Sequence, residues 1–160
     1  MELSIVHVSV PEGANVIIGQ SHFIKTVEDI YEVIVGTNPN IKFGLAFNEA
    51  SGKRLVRVEG NDENLKKVAA NNAINIGAGH IFVVVMEEGY PINVLNAIKM
   101  VPEVCRVFCA TANPLEVIVA HTKQGRGVLG VVDGFMPDGI ESEEDSLARK
   151  RLLRNFRYKL

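Results

Sequence analysis

An amide, a hydroxyl, an imidazole and an ammonium crowd into eight residues near the N-terminus, Gly19-Gln20-Ser21-His22-Phe23-Ile24-Lys25-Thr26. The stretch joins a short apolar run, Val16-Ile17-Ile18, to a helical pattern that begins at Val27. At such a strand-to-helix junction, open backbone N–H groups and the positive end of the helix dipole favour an anion. Gly19, Gln20, Ser21 and Lys25 are therefore candidate phosphate ligands. A neutral imidazole is nucleophilic near neutral pH and can take a phosphoryl group on nitrogen, which makes His22 the candidate reactive residue. The same residues also fit an ordinary helix start beside a surface histidine.

A second constellation is Gly125-Arg126-Gly127-Val128-Leu129-Gly130. It spells G-x-G-x-x-G, but a strand pattern follows it, so the dinucleotide fingerprint is not supported. A Gly-rich turn can still lay amides of Gly125 and Gly127 over a phosphate, with Arg126 as a bidentate donor. A plain hairpin turn is the other reading.

The third is Phe47-Asn48-Glu49-Ala50-Ser51-Gly52 with Lys53 and Arg54 behind it. Phe47 could stack a base, while Asn48, Glu49 and Ser51 bond its edge and ribose. Asn93 and Asn96 share a helix face, and Asn113 sits in a loop at a strand end, where α/β ligand sites commonly lie. His7 and His80 fall within or at the start of strands and read as structural, whereas His121 stays undecided. No carboxylate pair or His–Cys cluster has metal-ligand spacing, and no Ser-His-Asp order stands out.

These groups must be held by a scaffold, and the hydrophobic periodicity outlines one. Strands are expected over Glu2–Val10, Val16–Ile18, Ile41–Ala50, Lys53–Glu59, His80–Met86, Val104–Ala110, Glu116–Thr122 and Gly127–Asp133. Val27, Ile30, Tyr31 and Ile34 follow helical spacing, with Thr26 as the expected N-cap and Gly36 and Pro39 as the stop. Gly60-Asn61-Asp62 should cap a helix to about Ile76, and Pro91 should open another to about Met100. The resulting order contains a ferredoxin-like β-α-β-β-α-β run. We expect a single α/β domain over residues 1–160, a three-layer α/β/α sandwich around one mixed sheet.

Composition narrows the function classes. Of 160 residues, 47% are apolar and 22% charged, with a net charge of −2, which gives neither a nucleic-acid footprint nor an attraction to anionic membranes. The longest fully apolar run, Ile81–Met86, is six residues, far short of the roughly 20 a spanning helix needs. No signal peptide is apparent at the N-terminus, so a cytoplasmic location is expected. Cys105 and Cys109 would lie about 13 Å apart on one strand face, too far for a disulfide, and read as small core residues. The tail at 138–160 runs from acidic to basic, as one helix aligned with its macrodipole would, with Leu147, Leu152, Leu153 and Phe156 as a side for packing on the domain.

Taken together, these segments resemble the adenosine-specific kinase family, small prokaryotic and largely archaeal proteins. The resemblance is carried by Asn15–Asp29, Ile41–Phe47, Glu49–Gly52, Gly60–Asp62, Pro91–Ala97, Val101–Cys105, Ala110–Val117 and Gln124–Gly134. It implies a compact α/β/α domain that binds adenosine and AMP rather than ATP. It also implies a phosphorylatable histidine, at the position of His22, and a homo-oligomer such as a trimer. On this reading the chain is an adenosine-specific phosphotransferase acting on an alcohol group, with His22 catalytic. The phosphoryl donor is unassigned, and Mg²⁺ is left open as its companion. The absence of an ATP phosphate loop and of an obvious Mg²⁺ carboxylate pair leaves room for a non-catalytic adenosine or AMP sensor.

Overall fold

A computed structural model describes residues 1–160. The chain runs β1 (Glu2–Val8), β2 (Asn15–Ser21), α1 (Thr26–Thr37), β3 (Lys42–Asn48), β4 (Val56–Gly60), α2 (Glu63–Ile76) and β5 (Ile81–Glu87). It continues with α3 (Pro91–Lys99), β6 (Val104–Thr111), β7 (Leu115–His121), β8 (Arg126–Asp133) and α4 (Glu143–Asn155).

The α/β sandwich is present, but its strands form two sheets rather than one mixed sheet. Five strands pair in the order β4-β3-β5-β2-β6 and three in the order β1-β7-β8, with every strand pair antiparallel. The β-α-β-β-α-β order becomes two interleaved split units: β5 lies between β2 and β3, and β3 between β4 and β5. β1 leaves the first sheet because its partner is β7, in a register that runs from Glu2 with His121 to Val8 with Leu115.

Period-2 alternation gives the central sheet two apolar faces. Ile17, Phe43, Leu45, Phe82, Val84 and Met86 pack on Ile30 and Ile34 of α1 and on Val94 and Ile98 of α3. Val16, Ile18, Ala46, Val83 and Val85 pack on Leu65, Ala69 and Ala73 of α2 and on Val117 and Val119 of β7. The layers are therefore α1 and α3, then the five-stranded sheet, then α2 beside the small sheet. Asn72 of α2 ties the two sheets' layers to β1, because its side chain accepts from the Ser9 amide and donates to the Ser9 carbonyl, each at 2.8 Å.

Helix ends follow the local chemistry. Asp62 caps α2 by accepting from the amides of Asn64 and Leu65 at 3.0 and 2.9 Å. Gly77 ends α2 in the left-handed conformation, φ +64°, with its amide on the Ala73 carbonyl. α4 departs from expectation. None of its residues is buried, although its Leu and Phe spacing suggested a packed side; beyond it Tyr158 shares a surface pocket with Gly13, Asn38, Tyr90 and Asn93. Polar and charged groups occupy most of the α4 circumference, and its N-terminal box between Ser142 and Asp145 and the Glu141–Arg149 pair hold it locally. The small sheet also keeps Leu3, Ile5, Leu129 and Val132 exposed. Cys105 is exposed, contrary to the reading of both cysteines as core, whereas Cys109 is buried as expected; a register shift in the pairing of β6 with β2 lies between them. The Cys109 thiol is pushed up to about 11 by burial. No helix is long and apolar enough to cross a membrane.

Candidate functional site

A cleft of about 900 Å³ opens where the ends of β2 and β3 meet the start of β5. That size suits a nucleoside-scale ligand. Its walls come from three places. The β3–β4 connection supplies Asn48, Glu49, Ala50, Arg54 and Leu55; the end of α2 and its exit supply Ala73, Ile74 and Gly77–His80. The β7–β8 hairpin supplies Thr122 and Gln124–Gly127, and Gln20 of β2 completes the lining.

The sequence folds this way for local reasons. Once α2 stops at Gly77, Ala78 bridges to Arg126, which joins the exit loop to the hairpin of the other sheet. The Arg126 guanidinium donates to the Asn75 carbonyl at 3.1 Å, near the carbonyl end of α2 where a cation is favoured. The hairpin turn holds itself: the Thr122 amide donates to the Gly125 carbonyl at 2.8 Å. The Thr122 hydroxyl accepts from the amides of Gln124 and Gly125 at 3.2 and 3.3 Å. Asn48 is 7% exposed, and its amide NH₂ donates to the carbonyls of Ala73 and Ala78 at 2.8 and 2.9 Å. It thereby clamps the exit of α2 to β3.

Charge in the cleft is one-sided. Glu49 is neutralised by Arg57 at 2.8 Å, behind the lining. Arg54 and Arg126 face the cleft without a carboxylate partner. His80 also lines it, and its ring stacks on Phe47 with centroids 5.7 Å apart and planes at 17°. An anionic ligand, or the phosphate end of a larger one, suits that balance.

The candidate residues divide between this cleft and other places. Gln20, Asn48, Glu49, Gly125, Arg126 and Gly127 come together in it. Phe47 is buried in the core beneath His80 rather than open to a base. Ser51 is exposed at the turn, where its carbonyl accepts from the Arg54 amide. Asn93 caps α3, its side chain accepting from the Tyr90 amide at 2.9 Å. Asn113 donates to Asp133 at 3.1 Å, at the far end of β8 from Arg126. Eight residues of strand put that end about 23 Å from the cleft.

The Gly19–Thr26 junction forms a turn into α1 in which the amides of Phe23, Ile24 and Lys25 have no acceptor in the protein. A tight turn takes up the first amides of α1: Thr26 donates to the Phe23 carbonyl at 3.1 Å, and Asp29 to that of Lys25 at 3.0 Å. Thr26 is the first helical residue, not the cap, and its hydroxyl donates to Ser21 Oγ at 2.6 Å. Ser21 is buried, and Gly19 lies against Phe82 and the Arg106 carbonyl. Lys25 pairs with Asp29 at 3.1 Å. Beside this pair Glu103 is 3% exposed, with its carboxyl held above the usual range by burial and by the neighbouring Asp29, against the opposing pull of Lys25. His22 is exposed; its amide donates to the Glu103 carbonyl at 3.1 Å, and its ring stacks on Phe23. The two regions are neighbours, since the Ser21 amide donates to the His80 carbonyl at 3.0 Å.

His80, left-handed at φ +63°, reads from the sequence as structural because it opens an apolar strand, although His is among the non-glycine types enriched at positive φ. The signal available was Gly77 and Gly79 just before it, which announce a tight exit loop from α2. No group of three or more His, Cys, Asp or Glu side chains is arranged to hold a metal ion.

Residues 6–159 match the family model described as "Adenosine specific kinase". The crystal structure of the PH1918 protein from Pyrococcus horikoshii OT3 superposes with a TM-score of 0.95 at 46% sequence identity, covering 99% of this chain and 98% of that one. No curated protein matches.

Proposed function

The chain belongs to the adenosine-specific kinase family, and from that premise we propose that it is an adenosine- and AMP-binding phosphotransferase. The observation that carries this reading is the cleft, nucleoside-sized and with cations as its uncompensated charges. The nucleoside sits between the Asn48–Leu55 connection and the exit of α2, and its 5′ end points to Arg54 and Arg126. Positioning and electrostatics supply the rate, because phosphoryl transfer asks little covalent chemistry of the protein.

His22 is the proposed phosphoryl carrier. In support, it is exposed beside the strand end that also presents Gln20 to the cleft, and neither ring nitrogen has a protein hydrogen-bond partner. The chain works as a homo-oligomer on this reading, with the exposed apolar residues of the small sheet and of α4 available for contact between copies.

One observation favours a second reading, a binding module without catalysis. Lys25 is engaged by Asp29, and the first amides of α1 are taken by the turn. A phosphoryl group on His22 would find neither that ammonium nor those helix amides free, and would rely on the amides of Phe23, Ile24 and Lys25. Calorimetry with adenosine, AMP and ATP beside a radiolabel transfer assay separates the two. Transfer to adenosine that is lost in His22→Ala, with the label found on His22 by mass spectrometry, supports the phosphotransferase. Tight adenosine binding with no transfer from any donor decides for the module.

A further inference from the structure

We infer that His80 is the histidine through which the cleft grips the 5′ end of its ligand, its imidazole donating to a phosphate oxygen beside Arg54 and Arg126. The inference rests on the reading of the cleft as a nucleotide site and adds a residue to it. It does not require His22 to turn over.

Four observations converge on His80. Its φ is +63°, a conformation that non-glycine residues rarely hold and that clusters at functional sites. Four non-glycine residues have positive φ, and two of them, Arg54 and His80, line this one cleft. The conformation is held in place from both sides. The His80 amide donates to the Asn48 carbonyl at 2.7 Å, and its carbonyl accepts from Ser21 at 3.0 Å. Just before it, a Cβ on Gly79 would come within 2.9 Å of the Ala50 Cβ, so the loop has no slack.

The ring is prepared in the same way. One face lies on buried Phe47, which restricts its rotation, and the residue is half-buried at the cleft wall. Neither ring nitrogen bonds to a protein group, unlike His121, whose Nε2 lies 2.6 Å from Ser4 Oγ, or His7, which faces Glu116 at 3.3 Å. A fixed imidazole whose nitrogens bond to no protein group, in a cleft shared with two guanidinium groups that have no carboxylate partner, leaves donors over for a ligand even after Arg126 bonds to the Asn75 carbonyl. An anion with several oxygens is the complement, and a 5′-phosphate is the one an adenosine nucleotide brings.

Four histidines make the test readable by proton–carbon NMR of the ring C–H groups, assigned through single His→Gln variants of the full chain. Titration of the wild-type protein with AMP is expected to move the His80 resonances and leave those of His7 in place, with adenosine producing a smaller displacement. His80→Phe, which keeps the stack on Phe47 and removes the nitrogens, is expected to weaken AMP binding roughly 10- to 100-fold and adenosine binding far less. His80→Asn, whose type tolerates positive φ, is expected to restore part of the AMP affinity. AMP binding with unmoved His80 resonances, or an equal loss for AMP and adenosine in His80→Phe, overturns the inference while the nucleotide site stands. Absence of any binding by calorimetry overturns the site and the inference together.

Discussion

Lys25 Nζ lies 3.1 Å from Asp29 Oδ2, one helical turn along α1. Asp29 also crowds the buried carboxyl of Glu103, so one ammonium serves two acids. The first turn of α1 thus engages its cation with local acids, whereas Arg54 and Arg126 of the cleft have no carboxylate partner.

That cluster gives a pH dependence with a definite sign. Glu103 has a carboxyl pKa raised above 4.5 by burial and by Asp29. A raised carboxyl binds its proton more tightly in the folded state, so its contribution is complete below the ordinary value and is lost as pH rises through the raised one. Glu103→Gln keeps the shape of the neutral carboxyl and has nothing to ionise. Thermal unfolding of both proteins from pH 4 to pH 8 should show wild type losing stability relative to the variant as pH rises above about 4.5. Parallel curves would remove Glu103 from the account.

The two thiols should separate by reactivity. Cys105 is exposed, and Cys109 is buried with its thiol pushed up to about 11. Iodoacetamide at pH 8 is expected to alkylate Cys105 within minutes and to reach Cys109 only after denaturation. Peptide mass spectrometry on the native protein reads the order directly, and equal labelling of both would contradict the burial of β6's inner face.

Asn48 has a structural task beside any ligand contact. Asn48→Leu leaves the buried carbonyl of Ala78 without a donor and takes one of two donors from that of Ala73, which keeps the Gly77 amide; the loss should cost about 1 to 3 kcal/mol. Urea unfolding measures it. A loss below about 0.5 kcal/mol, the range of ordinary surface changes, would mean the α2 exit does not depend on this clamp.

Gly44 should tolerate no side chain. A Cβ there would lie 2.1 Å from the Leu65 carbonyl carbon and 2.2 Å from the Lys66 amide, both backbone atoms that cannot turn aside. Gly44→Ala should therefore destabilise by about 3 kcal/mol or more through separation of β3 from α2. An unchanged urea midpoint would show that the two elements sit further apart.

Much of the scaffold is legible in the chain because it is local. Val27, Ile30 and Ile34 mark the buried stripe of α1; Asp62 and Gly77 mark the ends of α2; Pro91 opens α3. The partition into two sheets is not local. β1 pairs with β7 more than a hundred residues away, and nothing in the alternation of Leu3, Ile5 and His7 names that partner. The site divides in the same way. The Gly125–Gly127 turn and Asn48–Glu49 are visible as hairpin chemistry, and the fold brings them together around one cleft. At the Gly19–Lys25 junction the sequence does not show that Thr26 meets Ser21, that the amides of Thr26 to Asp29 find carbonyls in the turn, or that Glu103 arrives just before β6. The Lys25–Asp29 spacing of four residues was the one local clue that the ammonium would be spoken for.

The central claim is that an adenosine nucleotide occupies the cleft, with its phosphate among Arg54, His80 and Arg126. A crystal structure of the protein soaked with AMP tests it most directly. The account predicts electron density for the nucleotide between the Asn48–Leu55 connection and the exit of α2, with the phosphate within hydrogen-bond reach of those three side chains. A nucleotide bound instead at the Gly19–Thr26 turn, with the cleft left to solvent, would contradict it.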